Sequence, residues 1–160
     1  MRRTGVLLMT SLALLTIVGT GVAQSTHDAA TEDTRRVFMA YGEAHDPSHY
    51  AEDATFTNMT NPTQPLVGRD AIGAFLATFY GGAFTDAHGD EVELLIDGNL
   101  VMLEFLFRGD HTGDLFGIPA TGKHVELPMM SVYGVDDGLI RWARLYYDSA
   151  SLMRQLGLAE

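Results

Sequence analysis

Residues 100–128 read LVMLEFLFRGDHTGDLFGIPATGKHVELP, and this stretch decides the fold. Seven of the nine residues from 100 to 108 are apolar. The run is rich in Leu, Val and Phe and too short before Gly109 for a typical helix, so it reads as a central strand with apolar contacts on both faces. Such a strand needs a covering layer on each side, or a layer on one side and a partner subunit on the other. Gly109-Asp110-His111-Thr112-Gly113 then turns the chain. Leu115-Phe116-Gly117-Ile118-Pro119 follows, Thr121-Gly122 makes a second turn, and a new strand begins.

Outward from this stretch, strands are expected at 91–96, 124–135 and 139–147. Asp97-Gly98-Asn99 and Asp136-Asp137-Gly138 supply tight hairpin turns between them. Further upstream, Thr31 reads as an N-cap with acids in the first turn of a helix. Val37, Phe38, Ala40, Tyr41 and Ala44 recur along that helix, which Asp46-Pro47 ends. Residues 55–59 alternate as a strand, and the two prolines of 61–65 mark a loop. Gly68-Arg69-Asp70 opens a helix with Ile72, Phe75, Leu76, Phe79 and Tyr80 as its apolar stripe, closed by Gly81-Gly82. Asp148 starts a last helix that Gly157 ends. Helices at the front and a meander of strands at the back indicate an α+β fold, with a curved antiparallel sheet wrapped around helices. A sheet rolled in this way leaves a concave space suited to a ligand.

The chain has 160 residues and no cysteine, so neither disulfides nor thiolate metal sites are available to it. Arg2-Arg3, the apolar run 6–18 and the small residues of Gly21-Val22-Ala23 have the layout of a signal peptide cleaved near Ala23. The expected organisation is therefore a signal peptide at 1–23, a flexible segment at 24–30 and one domain at 31–158, exported to a periplasmic or extracellular location. The apolar run is short of the roughly 20 residues of a membrane span, so no stable membrane insertion is expected after cleavage. The net charge is −11, and there is no basic stripe, which excludes nucleic acid as a partner class.

Tyr50-Ala51-Glu52-Asp53-Ala54-Thr55-Phe56 and Gly68-Arg69-Asp70-Ala71-Ile72 resemble the front half of NTF2-like proteins. The motif at 109–113, Gly117-Ile118-Pro119-Ala120-Thr121-Gly122-Lys123, Asp137-Gly138-Leu139-Ile140, Tyr147-Asp148 and Gln155-Leu156-Gly157 resemble the SnoaL-like polyketide cyclase branch of that superfamily. The resemblance implies a cone-shaped α+β barrel with one deep, largely apolar pocket, dimeric through the outer sheet face. It also implies an acid–base Asp on the last strand, helped by a His on the strand before. Counting from Asp137-Gly138, those positions are Leu145 and Ser131 here, so both ionisable groups are missing. The related ketosteroid isomerases place a carboxylate base where this chain has Asn58, and their oxyanion donors fall near Met130 and Val37. Neither proton-transfer apparatus is expected to survive.

Candidate residues each have a plainer reading. Asp148 is a carboxylate at the pocket rim or the N-cap of the last helix. His111 is a general base or the fastener of a polar loop. His45 and His49 have the spacing of two metal ligands, but Pro47 interrupts the helix and no third ligand is evident, so no metal is expected, nor any other cofactor. Asn58 can orient a carbonyl but cannot take a proton at neutral pH. Tyr41, Phe56, Asn58, Phe105, Ser131, Tyr133, Leu145 and Tyr147 are the expected pocket lining. Trp142, Arg144 and Tyr146, with Met102, Glu104 and Leu106, form the opposite sheet face, whose composition suits a homodimer interface. The expected function is binding of a small apolar, aromatic or polyketide-like molecule. The alternative is a cyclase, isomerase or hydratase that uses His111, Asp148 or a tyrosine.

Overall fold

The computed structural model describes residues 18–159. The signal-peptide reading of residues 1–23 therefore falls largely outside the described residues. In chain order the elements are α1 (Val18–Ala44), a 3₁₀ turn (Pro47–His49), β1 (Tyr50–Asn58), β2 (Leu66–Val67), α2 (Arg69–Leu76), a π-helical segment (Ala77–Ala83), β3 (Phe84–Asp97), β4 (Leu100–His111), β5 (His124–Asp136), β6 (Leu139–Tyr147) and α3 (Ser149–Leu156). The strands form one curved sheet in the order β2-β1-β6-β5-β4-β3.

Period-two burial drives the sheet. On β5, Val125, Leu127, Met129, Ser131, Tyr133 and Val135 point inward, and on β4 Val101, Phe105, Phe107 and His111 do the same. Leu100 and Met102 of β4 remain on the outer face, 46% and 37% exposed. The β5–β6 turn is closed by Asp136 opposite Leu139, and Asp137 and Gly138 both take positive φ (51° and 73°). This is the mirror-image turn that matches strand twist. The inner face is covered by Val37, Phe38 and Tyr41 of α1, by Ile72, Leu76 and Phe79 from α2 and the π segment, and by Leu152 and Leu156 of α3.

Besides β1, which runs Tyr50–Asn58 rather than 55–59, three features differ from the sequence reading. First, the sheet is mixed: β1 runs parallel to β6, with Asn58 opposite Leu145, while every other pair is antiparallel. No hairpin joins these two strands, so no turn imposes an antiparallel pairing on them. Second, α1 runs through residues 24–30, so this segment is helical and Thr31 lies inside the helix, its hydroxyl bonded to the His27 carbonyl. The same hydroxyl accepts from Gly98 N–H at 2.9 Å, and His27 Nε2 lies 3.0 Å from Asp97, which fastens the helix to the β3–β4 turn. Third, β3 begins at Phe84, because its polar first half completes the ladder with β4 residues 105–111.

Two of the sequence motifs are structural knots. Gln155 on α3 accepts from Glu126 N–H and donates to Glu126 C=O, both at 2.8 Å, beside a part of β5 that lies beyond its ladder with β6. Thr112 and Gly113 both donate to Ala83 C=O, at 3.1 and 3.0 Å, which ties the loop after β4 to the π segment. A Cβ at Gly113 would collide with the Gly82 carbonyl oxygen. On the outer face, a Cβ at Gly134 would strike the Trp142 indole, which lies across β5 under the Arg144 guanidinium, 4.8 Å from the ring centre.

Backbone cannot retreat as a flexible side chain can. Gly113→Ala is accordingly expected to lower unfolding stability by about 3 kcal/mol. Gly81→Ala, where a methyl group meets nothing within 4 Å, should stay within about 0.5 kcal/mol of the parent. Urea denaturation of the two variants beside the parent protein checks both.

Candidate functional site

The expected pocket residues are distributed among three spaces rather than one. Asn58, Leu145 and Ser131 are cross-strand neighbours on β1, β6 and β5, and both Leu145 and Ser131 are buried. The space beside Ser131 and Leu145 is only about 20 Å³, because Phe56, Phe75, Leu76, Phe79 and Met129 close around it, and Leu145 also borders, with Asn58, a second and larger space. The first space has room for roughly a single water. The axial hollow expected from the rolled sheet is therefore nearly filled by its own aromatic lining.

A second space of about 130 Å³ opens at the end of the cone between Asn58, Tyr147, Phe75, Phe116, Ile118 and Met153. Asn58 Nδ2 donates to the Tyr147 hydroxyl at 3.1 Å, while its Oδ1 accepts from Thr60 N–H and Thr60 Oγ1. Phe116, 59% exposed, stacks on Phe75 with centroids 5.4 Å apart.

The main interior space is a cleft of about 350 Å³ between the second half of α1, the π segment and strands β3 and β4. Tyr41, Phe105 and Tyr133, all expected from the sequence, line it. Phe38, Tyr80 and Leu103 extend its apolar wall, and Glu43, His45 and Glu91 add ionisable groups. Gly89 makes room at its floor: a Cβ there would lie 2.9 Å from the Phe105 ring. Tyr133 meets Phe38 and Tyr41 with ring centroids 5.0 and 5.9 Å apart. Tyr41 and Tyr50 share a hydrogen bond between hydroxyls 3.4 Å apart. Burial pushes the phenols of Tyr41, Tyr50, Tyr80 and Tyr133 above their ordinary range, and neighbouring phenols add to the effect on Tyr41, Tyr50 and Tyr80. At neutral pH these groups are hydroxyl donors, not bases.

His111 is fully buried and lines none of these three spaces. Its Nδ1 lies 3.0 Å from Thr121 Oγ1 and accepts from Thr121 N–H at 3.3 Å, while its backbone bonds Lys123 and Gly122. It fastens the loop after β4 to β5. Its Nε2 has no hydrogen-bond partner among the described residues. Asp148 has the extended backbone of an N-cap, and its Oδ1 accepts from Ala150 N–H at 2.9 Å. Among the described residues no group of three or more His, Asp or Glu side chains could hold a metal ion. No described helix is long and apolar enough to cross a membrane.

The model of the SnoaL-like polyketide cyclase family matches residues 33–156, so the chain belongs to that family. It is similar to the aklanonic acid methyl ester cyclases DnrD of Streptomyces peucetius (32% identical over 92 residues) and DauD of Streptomyces sp. strain C5 (30% over 92 residues). Each match covers 58% of this chain, and 63% and 57% of the respective relative. Among solved structures, a SnoaL-like protein from Jannaschia sp. CCS1 superposes with a TM-score of 0.71 at 15% identity, covering 81% of this chain and 94% of that one. A protein of ketosteroid isomerase-like fold from Catenulispora acidiphila gives 0.62 at 19% identity, covering 76% and 92%. These likenesses establish the ketosteroid isomerase-like, or NTF2-like, fold.

Asp148→Ala should cost about 1 kcal/mol through loss of the cap. Asp148→Asn keeps the capping oxygen and removes the charge, so its thermal midpoint should stay within about 2 °C of the parent's. A larger fall for the Asn variant would mean that the carboxylate does more than cap.

Proposed function

We propose that this protein binds a small, flat apolar molecule of aromatic or polyketide type in the cleft between α1 and β4, without the Asp/His pair of its cyclase relatives. The observation that carries this reading is the cleft itself. A space of about 350 Å³ walled by Phe38, Tyr41, Tyr80, Phe105 and Tyr133 has the size and lining of a small-molecule site. Phenol hydroxyls in an otherwise apolar wall provide the few polar groups that orient a ligand. Membership of a family whose curated relatives cyclise aklanonic acid methyl ester supports a polycyclic or polyketide-like ligand. Leu145 and Ser131, at the positions read as the cyclase pair, offer no ionisable side chain, and the spaces they border, about 20 and 130 Å³, are smaller than the cleft.

Export through cleavage near Ala23 and association through the outer sheet face belong to the same proposal. The outer face carries Met102, Glu104, Met130, Arg144 and Tyr146 around a shallow depression that also includes Pro128 and Asp148.

Native mass spectrometry of protein isolated from its own host should show a bound small molecule on the chain beginning at Gln24. Leu103→Trp, which fills the cleft, should abolish that adduct with little change in secondary structure. Retention of the adduct by this variant would place the ligand elsewhere. Sedimentation at micromolar concentration should give a dimer, and Met130→Asp should convert it to monomer.

A further inference from the structure

The cleft combines rings with unpaired carboxylates, and it lacks a fixed positive charge. Phe38 and Tyr133 lie with centroids 5.0 Å apart and planes inclined by 56°, Tyr41 and Tyr133 at 5.9 Å and 60°, and Phe38 and Tyr41 at 6.3 Å and 48°. Rings inclined in this way turn their electron-rich faces in several directions, which a parallel stack does not. Tyr80 extends the wall from the π segment, and His45 stacks on it with centroids 4.5 Å apart.

Glu91 of β3 sits directly opposite Phe105 of β4, and Gly89 sits opposite Phe107. Directly paired residues share a sheet face, and Phe105 and Phe107 are buried on the concave one. Glu91 therefore belongs to the concave face. It immediately precedes the irregularity in the β3–β4 ladder between Glu91 and Glu93. Bulges re-aim side chains and recur beside functional sites. Glu43 borders the cleft from α1. Among the described residues, neither carboxylate takes part in an ion pair or a side-chain hydrogen bond. No lysine or arginine lines the cleft, and burial lowers the pKa of His45, so its ring is uncharged at pH 7. Two exposed carboxylates thus give the mouth a negative charge that nothing in the cleft wall balances. The net charge of −11 adds a long-range field of the same sign.

We propose that the molecule held in this cleft carries an alkylated ammonium group, tertiary or quaternary, on its aromatic or apolar body. This rests on the cleft being the ligand site. The ammonium lies among the inclined rings, drawn by their quadrupoles, and Glu43 and Glu91 supply the opposite charge from the rim. Its N-alkyl groups meet apolar wall. A bare ammonium would need three hydrogen-bond acceptors, which rings do not provide. An anionic ligand would face two carboxylates with no cation to offset them. A neutral ligand would fill the cleft but draw nothing from Glu43 and Glu91.

Two probes of one shape isolate the charge: [4-(hydroxymethyl)phenyl]trimethylammonium and 4-tert-butylbenzyl alcohol, each titrated into the protein by calorimetry at low and at physiological ionic strength. The parent protein should bind the ammonium at least about tenfold more tightly than the neutral alcohol. The preference should shrink as salt is added. Glu43→Gln and Glu91→Gln alter exposed side chains that hold no partner, so the fold should be kept. Each should weaken the ammonium by about threefold and leave the alcohol unchanged. Tyr80→Leu, which keeps an apolar wall but removes a ring, should weaken the ammonium more than the alcohol. Leu103→Trp should abolish binding of both, which separates the cleft from adventitious cation binding on an acidic surface. Equal or weaker binding of the ammonium than of the alcohol overturns the inference and leaves the cleft as a site for neutral molecules. So does a preference for the ammonium that survives Leu103→Trp or the double variant Glu43→Gln/Glu91→Gln. An adduct from the host that lacks a basic or quaternary nitrogen overturns it as well. Failure of the parent protein to bind either probe, with no adduct in native mass spectrometry, overturns the cleft itself and the ammonium with it.

Discussion

The structure depends on how α1 seats against the concave face of the sheet. Phe38 and Tyr41 meet Tyr133 of β5 in a cluster of rings, with the hydroxyl of Tyr41 tied to that of Tyr50 at the start of β1. One helix is thereby fixed to two strands that pair on opposite sides of β6. Large rings cannot interdigitate as closely as aliphatic chains when they must also satisfy hydroxyls. The sheet fills along its axis, and space remains beside the helix. The cleft at α1 and the near absence of volume at Ser131 are two results of the same packing.

Elements with a buried face were legible in the sequence because alternation and turn chemistry agreed there. β6 runs Leu139–Tyr147 as read, and Asp137-Gly138 makes the turn its residues demand. Asp148 and Gly157 delimit α3 by their own side-chain and backbone preferences. Where an element is held by distant partners, the sequence carries little sign of it. Residues 24–30 are polar and read as a tether, yet His27 and Thr31 rest on the β3–β4 turn. The first half of β3 is charged and broken by Gly89, and it is a strand because β4 offers it a ladder. The parallel pairing of β1 with β6 has no local signature at all.

The site shows the same division. Tyr41, Phe105 and Tyr133 were legible as inward aromatic residues and line the cleft. Phe38 and His45 lie on the helical face of Tyr41, at spacings of three and four, which is a signal that could have found them. Tyr80, Leu103, Glu43 and Glu91 reach the cleft only through the way the π segment and β3 curve around it, and spacing along the chain does not record that. Asn58, Ser131 and Leu145, expected together in a pocket lining, are neighbours across strands. What could not be read was whether their row encloses a volume, since that depends on the rings of Phe56, Phe75 and Phe79 meeting from different elements.

The chain has a single tryptophan, and Gly134 exists in part to accommodate it. Trp142 lies flat on the convex side of the sheet beneath Arg144, separated from the cleft by the thickness of β5. Indole emission from this protein is thus a reporter of its convex surface and of whatever covers the guanidinium there. Three of the six tyrosines, Tyr41, Tyr80 and Tyr133, line the cleft, whereas Tyr146 shares the convex face with the indole. The single indole thus reports the outside of the cone without an added label.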